Sequence, residues 1–531
     1  MTARFLPAGD TALLVELADL DAVLALFASM NADPPRGVVE LVPAAKTLAV
    51  TFDQHVTSAS RLASEIALRD LTGHAPASGR EIEIPVTYDG QDLAGVAALT
   101  GLSVAEVIAR HTGTGWRAAF NGFAPGFCYL SGGDPALHVP RLQSPRTAIP
   151  AGSVALAGAF SGVYPQESPG GWQLIGTTTA RMWDLSRTPP ALVAPGDLVK
   201  FVDCAKRPAS QKPAMNSRPA EKPLLPGRPT ARLDVIDAPF PVQFQDGGRL
   251  DQLAQGVAAS GAADMGAFRS LNRLLGNPAG TPAIEIGAGP LHLRATTPCT
   301  IAITGAGRRI TLNDQDTFTT HQAVAVDAGD SIHITSPSSG SFSYLGARGG
   351  FEVEPVLGSA ATDTLAHIGP PPLQAGDWIA LAGRPAQSLG PAEPVPVLPR
   401  PGETVVLDVV MGPRADWFSA KTLALFTSQD WIVTPRSSRI GKRLEGASAL
   451  MRANDRELPS EAAMTGAIQV PHSGQPVLFL ADHPLTGGYP VIATVAAHHL
   501  DLAAQAPPGA KLRFRPCAPF SEIAPVSPEV S

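Results

Sequence analysis

Residues 195–202 read PGDLVKFV. A proline–glycine–aspartate turn runs into apolar residues at every second position, the period of a half-buried strand. The pattern returns as AGDSIHIT at 328–335, AGDWIALA at 375–382 and PGAKLRFR at 508–515. Gly196 and Gly329 lie 133 residues apart, as do Gly376 and Gly509. Related β-units of similar size would produce that equality. With 51 glycines, 52 prolines and only 6% aromatic residues, the composition also favours short strands and turns over long helices.

The full 531 residues suggest about three or four domains at roughly 150 residues each. Segment 205–229, AKRPASQKPAMNSRPAEKPLLPGRP, is proline-rich and basic with no aromatic residue. It cannot bury enough surface to fold and reads as an extended linker. A second proline-rich stretch, 384–402, divides the remainder of the chain. The expected layout is a small α+β domain at 1–80, a β-barrel domain at 81–204, the linker, and two β-halves at 230–385 and 386–525. Apolar spacing predicts helices at 20–30 and 58–71, with KTLAVTFD as a strand between them. Ser103 and Glu106 form a capping box for a helix at 103–112. Helical spacing at 264–276 ends on a glycine, and a short helix is expected near 414–426.

A formal net charge of -7 argues against a dedicated nucleic-acid binder. Cys128, Cys204, Cys299 and Cys517 never approach CxxC spacing, so neither a zinc site nor a redox motif is expected. The twelve histidines are scattered, and no metal site is assigned; adjacent His498 and His499 lack clustered partners in sequence. The N-terminus lacks a signal-peptide core, and no run of about 18 apolar residues occurs. A soluble, reduced, cytoplasmic protein without membrane contact is expected.

There is no phosphate loop, nucleophile elbow, HExxH or biotin-attachment Met-Lys-Met. Three longer signals remain. The first is NGFAPGFCYL at 121–130 with PRLQSPRTAIPAGSVALAGAFSGVYPQESPGGWQLIG after it. The second pairs PRSSRIGKRLEG (435–446) with LPSEAAMTGAIQVPHSGQPVLFLADHPLTGGYPVIATV (458–495). The third is QDGGRLDQLAQGVAASGAADMGAFRSLNRLLGNP (245–278).

Through Gly122–Gly126, Pro145-Arg146, Pro150–Ser153, Tyr164-Pro165 and Ser168–Trp172, the first 205 residues resemble the family called allophanate hydrolase subunit 1, kinase-A inhibitor or the 5-oxoprolinase B subunit. From about 230 onward the chain resembles the partner family: allophanate hydrolase subunit 2, the inhibitor's antagonist, or the 5-oxoprolinase C subunit. Gly256-Val257, Ser260–Ala262, Asp264, Arg436, Arg439–Gly446, Gly466–Pro471 and Gly487–Pro490 carry that match. The resemblance implies a mainly β fold, with three cyclophilin-like β-barrel domains in tandem behind the small α+β domain, and two subunits fused through the linker.

The same resemblance implies an enzyme component: part of an ATP-dependent 5-oxoprolinase that acts with a separate A-type subunit on a small-molecule amide. Two alternatives share the architecture. One is the carboxyltransferase part of a biotin-dependent urea carboxylase, with biotin supplied in trans; the other is a regulator that binds a histidine kinase. Leu458-Pro459-Ser460-Glu461 and Gly487-Gly488-Tyr489-Pro490 favour the oxoprolinase type. Phosphorylating a lactam oxygen needs cations for phosphate and acids for Mg2+. Arg439, Arg443, Glu461 and Asp482 are the expected catalytic set. Arg436, Glu445, Gln469, His483, Gly487, Gly488, Tyr489 and Asp264 are the expected substrate and ATP contacts. The competing reading of the arginine segment is the exposed face of a β-hairpin, and that of Asp264 a helix cap. The uncharged loop residues Asn121, Phe123, Pro125 and Phe127, with Pro169, Gly170, Gly171 and Trp172, are expected to shape a pocket or an interface with the second half. A homo-oligomer is left open. Ala263, His483, Val491 and Thr177-Thr178 depart from the family's pattern, removing cationic positions and leaving the substrate open.

Overall fold

A computed structural model describes residues 3–71, 79–142, 144, 146–206, 228–454 and 456–526. Most of the 205–229 linker lies outside the described residues. The fold is mainly β. The N-terminal unit is a four-stranded antiparallel sheet in the order Arg4–Pro7, Ala12–Glu16, Thr47–Phe52, Val38–Pro43. Helices Leu20–Ala32 and Ala59–Ala67 bury Val23, Leu26, Leu62 and Ile66 against it. Asp19 and Ser58 cap their first turns by accepting backbone N–H bonds.

Seven strands then form a barrel. Around the ring they are Gln173–Thr177, Ser153–Ala157, Phe160–Val163, Cys128–Ser131, Trp116–Asn121, Leu198–Asp203 and Glu81–Val86. Paired bonds between Thr87 and Thr177 close it. The last unit is a closed barrel of the same topology: Val491–Val495, Ala467–Gln469, Val477–Phe479, Gly441–Glu445, Trp431–Val433, Lys511–Pro516 and Thr404–Met411. In both, the first strand runs parallel to the last. The likeness extends to side chains. The indole N–H groups of Trp116 and Trp431 each donate, at 3.0 Å, to the carbonyl five residues earlier. His111 stacks on Phe201 at 4.3 Å and Phe426 on Phe514 at 4.7 Å. Each barrel also carries a two-stranded arm: Arg146–Ile149 with Ser168–Gly170 in the first, Glu461–Ala462 with Thr486–Gly487 in the second.

Between the barrels lies a unit of six- and five-stranded sheets that share one apolar core, including Leu233, Phe244, Leu293, Ile303, Ile332 and Phe351. The proline-rich 384–402 stretch is bound along this unit. Gln387 and Gly390 N–H donate to the Gly276 and Leu274 carbonyls, and Glu393 N–H to that of His321.

The four turn glycines, Gly196, Gly329, Gly376 and Gly509, all take positive φ, between 87° and 94°, and each feeds a strand. Their equal spacing, however, relates unlike strands. Leu198–Asp203 and Lys511–Pro516 are the equivalent pair, while Ser331–Ile334 and Trp378–Ala380 belong to the middle unit. The expected helices form as Val104–Gly113, with both capping-box bonds, as Met265–Leu275, capped by Asp264 and ended by Gly276 at φ 66°, and as Ala420–Ser428. Two helices, Leu93–Thr100 and Leu500–Gln505, escape the sequence reading. LAGVAALT is apolar all round and holds a glycine, so it shows no helical stripe. LDLAAQ is too short to establish one. No single helix among the described residues is long and apolar enough to cross a membrane.

The middle unit and the last barrel bury charge between them. Lys442 is 3% exposed, with Nζ 5.3 Å over the Phe342 ring. Burial pushes its ammonium down to about 7, and Glu285 pulls weakly the other way. The unfolded chain therefore holds one more proton from about pH 7 to the ordinary lysine value near 10.4, and the contribution to stability rises with pH across that window. Lys442→Met is expected to flatten this rise and to stabilise the protein at neutral pH, as measured by urea unfolding at successive pH values.

Candidate functional site: a cleft between the two barrels

The loop NGFAPGFCYL joins the first barrel's strands Trp116–Asn121 and Cys128–Ser131 and seats that barrel on the second half of the chain. Asn121 Nδ2 donates to the Ala254 carbonyl at 3.1 Å. A Cβ on Gly256 would lie 2.9 Å from the Ala124 carbonyl oxygen, and one on Gly122 would lie 2.7 Å from the Thr486 side chain. Pro125 is buried in the seam. Phe123 takes φ +67°, a strained conformation for an aromatic residue, of order 1–3 kcal/mol. Ring contacts on both sides hold it, to Phe127 at 5.3 Å and Tyr164 at 6.1 Å.

Beside this seam is a cleft of about 460 Å³ walled by both barrels. The first supplies an aromatic floor: Phe123, Tyr129, Tyr164 and Trp172, organised around Phe127, whose ring lies 5.2–5.3 Å from each. Pro169, Gly170 and Gly171 form its rim. The last barrel supplies Gln469, Gly487, Gly488 and Tyr489. Gln469 Nε2 donates to the Tyr489 carbonyl at 3.1 Å and takes the space that a Cβ on Gly487 would need. Burial pushes the Tyr164 phenol well above its ordinary value, so it stays protonated and can donate.

Two arginines charge the cleft. Arg141 reaches from the first barrel across the junction: its Nη2 donates to Ser460 Oγ at 2.9 Å and its Nε lies 3.1 Å from Glu457. Its Nη1 occupies the place of the missing Cβ of Gly488. Arg452 lies 5.6 Å over the Tyr489 ring, with Nη2 on the Val470 carbonyl at 3.0 Å. The sequence reading missed both. Arg141 stands among proline and turn residues and Arg452 in the mixed-charge run MRANDRE (451–457), and only the fold brings them to one cavity. Flat rings, glycine edges and two guanidinium groups suit a small planar molecule bearing a carboxylate.

The other expected site residues disperse. Arg439 is buried against Asp482 and Glu285, with bonds of 2.6–3.1 Å, and its Nη2 also donates to the Gly261 carbonyl at 2.6 Å. Asp482 is held low by Arg439, against its burial, and accepts from Ser260 at 2.5 Å and Thr364 at 2.6 Å. This network joins the middle unit to the last barrel and leaves Arg439 facing protein acceptors. Glu461 is buried on Arg414, through Nε at 2.9 Å and Nη2. Arg436, Arg443 and Glu445 are exposed: in strand Gly441–Glu445, alternation turns Lys442 and Leu444 inward and the other two outward. The expected single cationic cluster is thus not assembled. Asp264 caps its helix and accepts from Gln505 Nε2 at 2.7 Å; burial first, then Asp501, pushes it up to about 6. His483 is buried near a separate cavity of about 200 Å³ that Glu40 also lines. His498 and His499 do have a partner. Asp408 Oδ2 lies 3.1 Å from His498 Nε2 and 3.8 Å from His499 Nδ1. Arg515 holds its other oxygen at 2.5 Å, and His499 Nδ1 accepts the Asp408 N–H.

A magnesium–nucleotide needs carboxylates free to ligate the ion. Glu457 is the one acid among the described residues lining the cleft, and Arg141 already pairs with it. The residues lining this cleft do not fit that group.

Comparison with known proteins places these halves. Residues 3–193 match the family model "Carboxyltransferase domain, subdomain C and D", and 255–516 match "Carboxyltransferase domain, subdomain A and B". The chain is 35% identical to the 5-oxoprolinase C subunit of Escherichia coli over 54% of its length and 91% of that relative. It is 36% identical to the 5-oxoprolinase B subunit of Bacillus subtilis over 38% of its length and 92% of that relative. Urea amidolyase of Saccharomyces cerevisiae matches at 32% over 51% of this chain but only 16% of that protein. A crystal structure of the protein TTHA0988 superposes with a TM-score of 0.81 at 33% identity, covering 95% of this chain and 99% of that one. With one half like the B subunit and the other like the C subunit, joined in one polypeptide with a cleft where they meet, the chain belongs to the carboxyltransferase-domain family, as a fused B/C-type member.

Proposed function

We propose that this chain is the substrate-binding part of an ATP-dependent cyclic-amide hydrolase of the 5-oxoprolinase type, opening 5-oxo-L-proline to L-glutamate with a separate A-type subunit. The composite cleft carries this reading: Arg141 of the B-like half stands against Gly488 and Ser460 of the C-like half. A five-membered lactam is flat enough to lie between the aromatic floor and Tyr489. Its carboxylate meets Arg141 and Arg452, and its amide finds hydroxyl donors in Tyr129 and Tyr164. The chain's residues bind, orient and shield the ring from water. Nucleotide chemistry is assigned to the partner, because the cleft offers no carboxylate set for the metal.

Purified chain with an A-type subunit, ATP and 5-oxoproline is expected to release glutamate; carboxylation of urea from carboxybiotin in place of glutamate overturns the assignment. That second reading, a carboxyltransferase with biotin in trans, draws support from the similarity to urea amidolyase. It would use the same cleft.

If Arg141 receives the carboxylate, Arg141→Ala raises KM by roughly tenfold to a hundredfold with a smaller change in kcat. Gly488→Ala, whose Cβ meets the far end of the Arg141 side chain, is expected to shift KM the same way by less. Steady-state kinetics on both variants checks the order.

A further inference from the structure

The two walls of the cleft are the arms of two barrels with one topology, and each arm is tied to its barrel at the same place by a pair of opposite charges. In the first barrel, Arg146 lies opposite Gly170 in the arm, two residues before Trp172. In the last barrel, Glu461 lies opposite Gly487, two residues before Tyr489. Arg146 Nη2 bonds Asp92 Oδ1 at 2.7 Å, and Glu461 bonds Arg414. Asp92 and Arg414 each follow the barrel's first strand and open a helical turn. The match continues in the main chain. Asp92 N–H donates to the Leu174 carbonyl at 2.9 Å, and Arg414 N–H to the Val491 carbonyl at 3.1 Å. Leu174 and Val491 are each two residues beyond the cleft aromatic. The strut therefore keeps its position and its backbone bond in both barrels, while its charges are exchanged.

The two struts differ in what lies beyond them. Asp92–Arg146 is contained within the first barrel. Arg414 continues outward to Glu16 of the N-terminal sheet, at 2.7 Å, and Glu16 to Arg4 at 2.6 Å. The segment bearing Glu461 is gripped by the first half at two more points: Ala45 N–H donates to the Ser460 carbonyl at 3.1 Å, and Arg141 bonds Ser460 Oγ.

Resting on the cleft being the substrate site, we propose that Asp92–Arg146 and Glu16–Arg414–Glu461 are charge-reversed positioning struts for the two cleft walls, and that the last barrel's wall is set by docking of the first half. Glu461 is on this account a positioning residue and not a catalytic one. The inward strut holds Tyr489 and the Gly487-Gly488 edge in register with Arg141. The exchange of charges leaves each arm matched to its own barrel and mismatched to the other. Relatives whose halves are separate polypeptides would complete the wall only on association.

Amide hydrogen exchange on the full chain, without substrate, tests the struts apart from the reaction. Glu16→Gln removes the outer acid and leaves the Arg414–Glu461 pair, so the fold is retained. It is expected to speed exchange in 457–463 and 484–490 by about tenfold, with 168–174 unchanged. Asp92→Asn is expected to do the converse. Glu461→Asp should restore most of the protection that Glu461→Gln loses. If Glu16→Gln leaves 457–463 and 484–490 as protected as before, or loosens the whole last barrel equally, the positioning role is overturned. If exchange behaves as expected but glutamate is not formed, the struts stand and the substrate assignment falls.

Discussion

The structure depends on how closely the NGFAPGFCYL loop of the first barrel approaches the second half of the chain. Gly122 against the Thr486 side chain and Gly256 against the Ala124 carbonyl leave no room for a side chain. The first contact sets the two barrels at the distance where one cleft has two walls, and the second seats the same loop on the segment before helix Met265–Leu275. Glycine is needed at both points for its missing Cβ, and Gly256 also takes φ +80°. Packing around the seam is then aromatic, because large flat rings fill the space between two curved sheets and leave hydroxyls at the edge.

Charge is buried where three units must stay in register. Arg439 with Asp482 and Glu285 joins the middle unit to the last barrel, and Arg414 with Glu461 and Glu16 joins the last barrel to the N-terminal sheet. Buried ion pairs contribute little net stability, since desolvation offsets much of the attraction, but breaking one strands a charge. Such contacts define orientation more than they strengthen the fold. This explains how strongly charged family motifs can lie outside the cleft: they hold its walls.

The two barrels carry the same strand order, the same tryptophan bond to the helix before it, and the same arm. Against that shared frame the differences are legible. One arm presents Trp172 and the other Tyr489, and the supporting pair is reversed in sign. Each wall therefore brings an aromatic ring and an arginine to the cleft, Trp172 with Arg141 on one side and Tyr489 with Arg452 on the other, though the pairs behind them are opposite in sign.

Much of the local structure was readable along the chain. Turn glycines at positive φ, the Ser103–Glu106 box and the Asp264 and Gly276 caps act within a few residues, so their physics is contained in short segments. Helix Leu93–Thr100 was not readable, because its exposed face (Ala94, Ala98, Leu99) is as apolar as its buried one (Leu93, Val96, Ala97), which erases the periodicity that marks a helix. The 133-residue interval misled, because similar turns precede strands of unlike topology. The site was legible only in part. NGFAPGFCYL, Gly170–Trp172 and Gly487–Tyr489 announce close packing by composition alone, and they line the cleft. The arginines of 436–443 looked alike in sequence, yet a two-residue alternation and one buried turn send them to different surroundings. Arg141 and Arg452 gave no signal, since a cation acquires meaning only from what stands across from it. Turns, caps and strand faces were settled by the order of residues, because each depends on near neighbours in the chain. Which charges meet was settled by folding, because Arg141 faces Ser460, and Glu16 faces Arg414, across hundreds of residues of intervening chain.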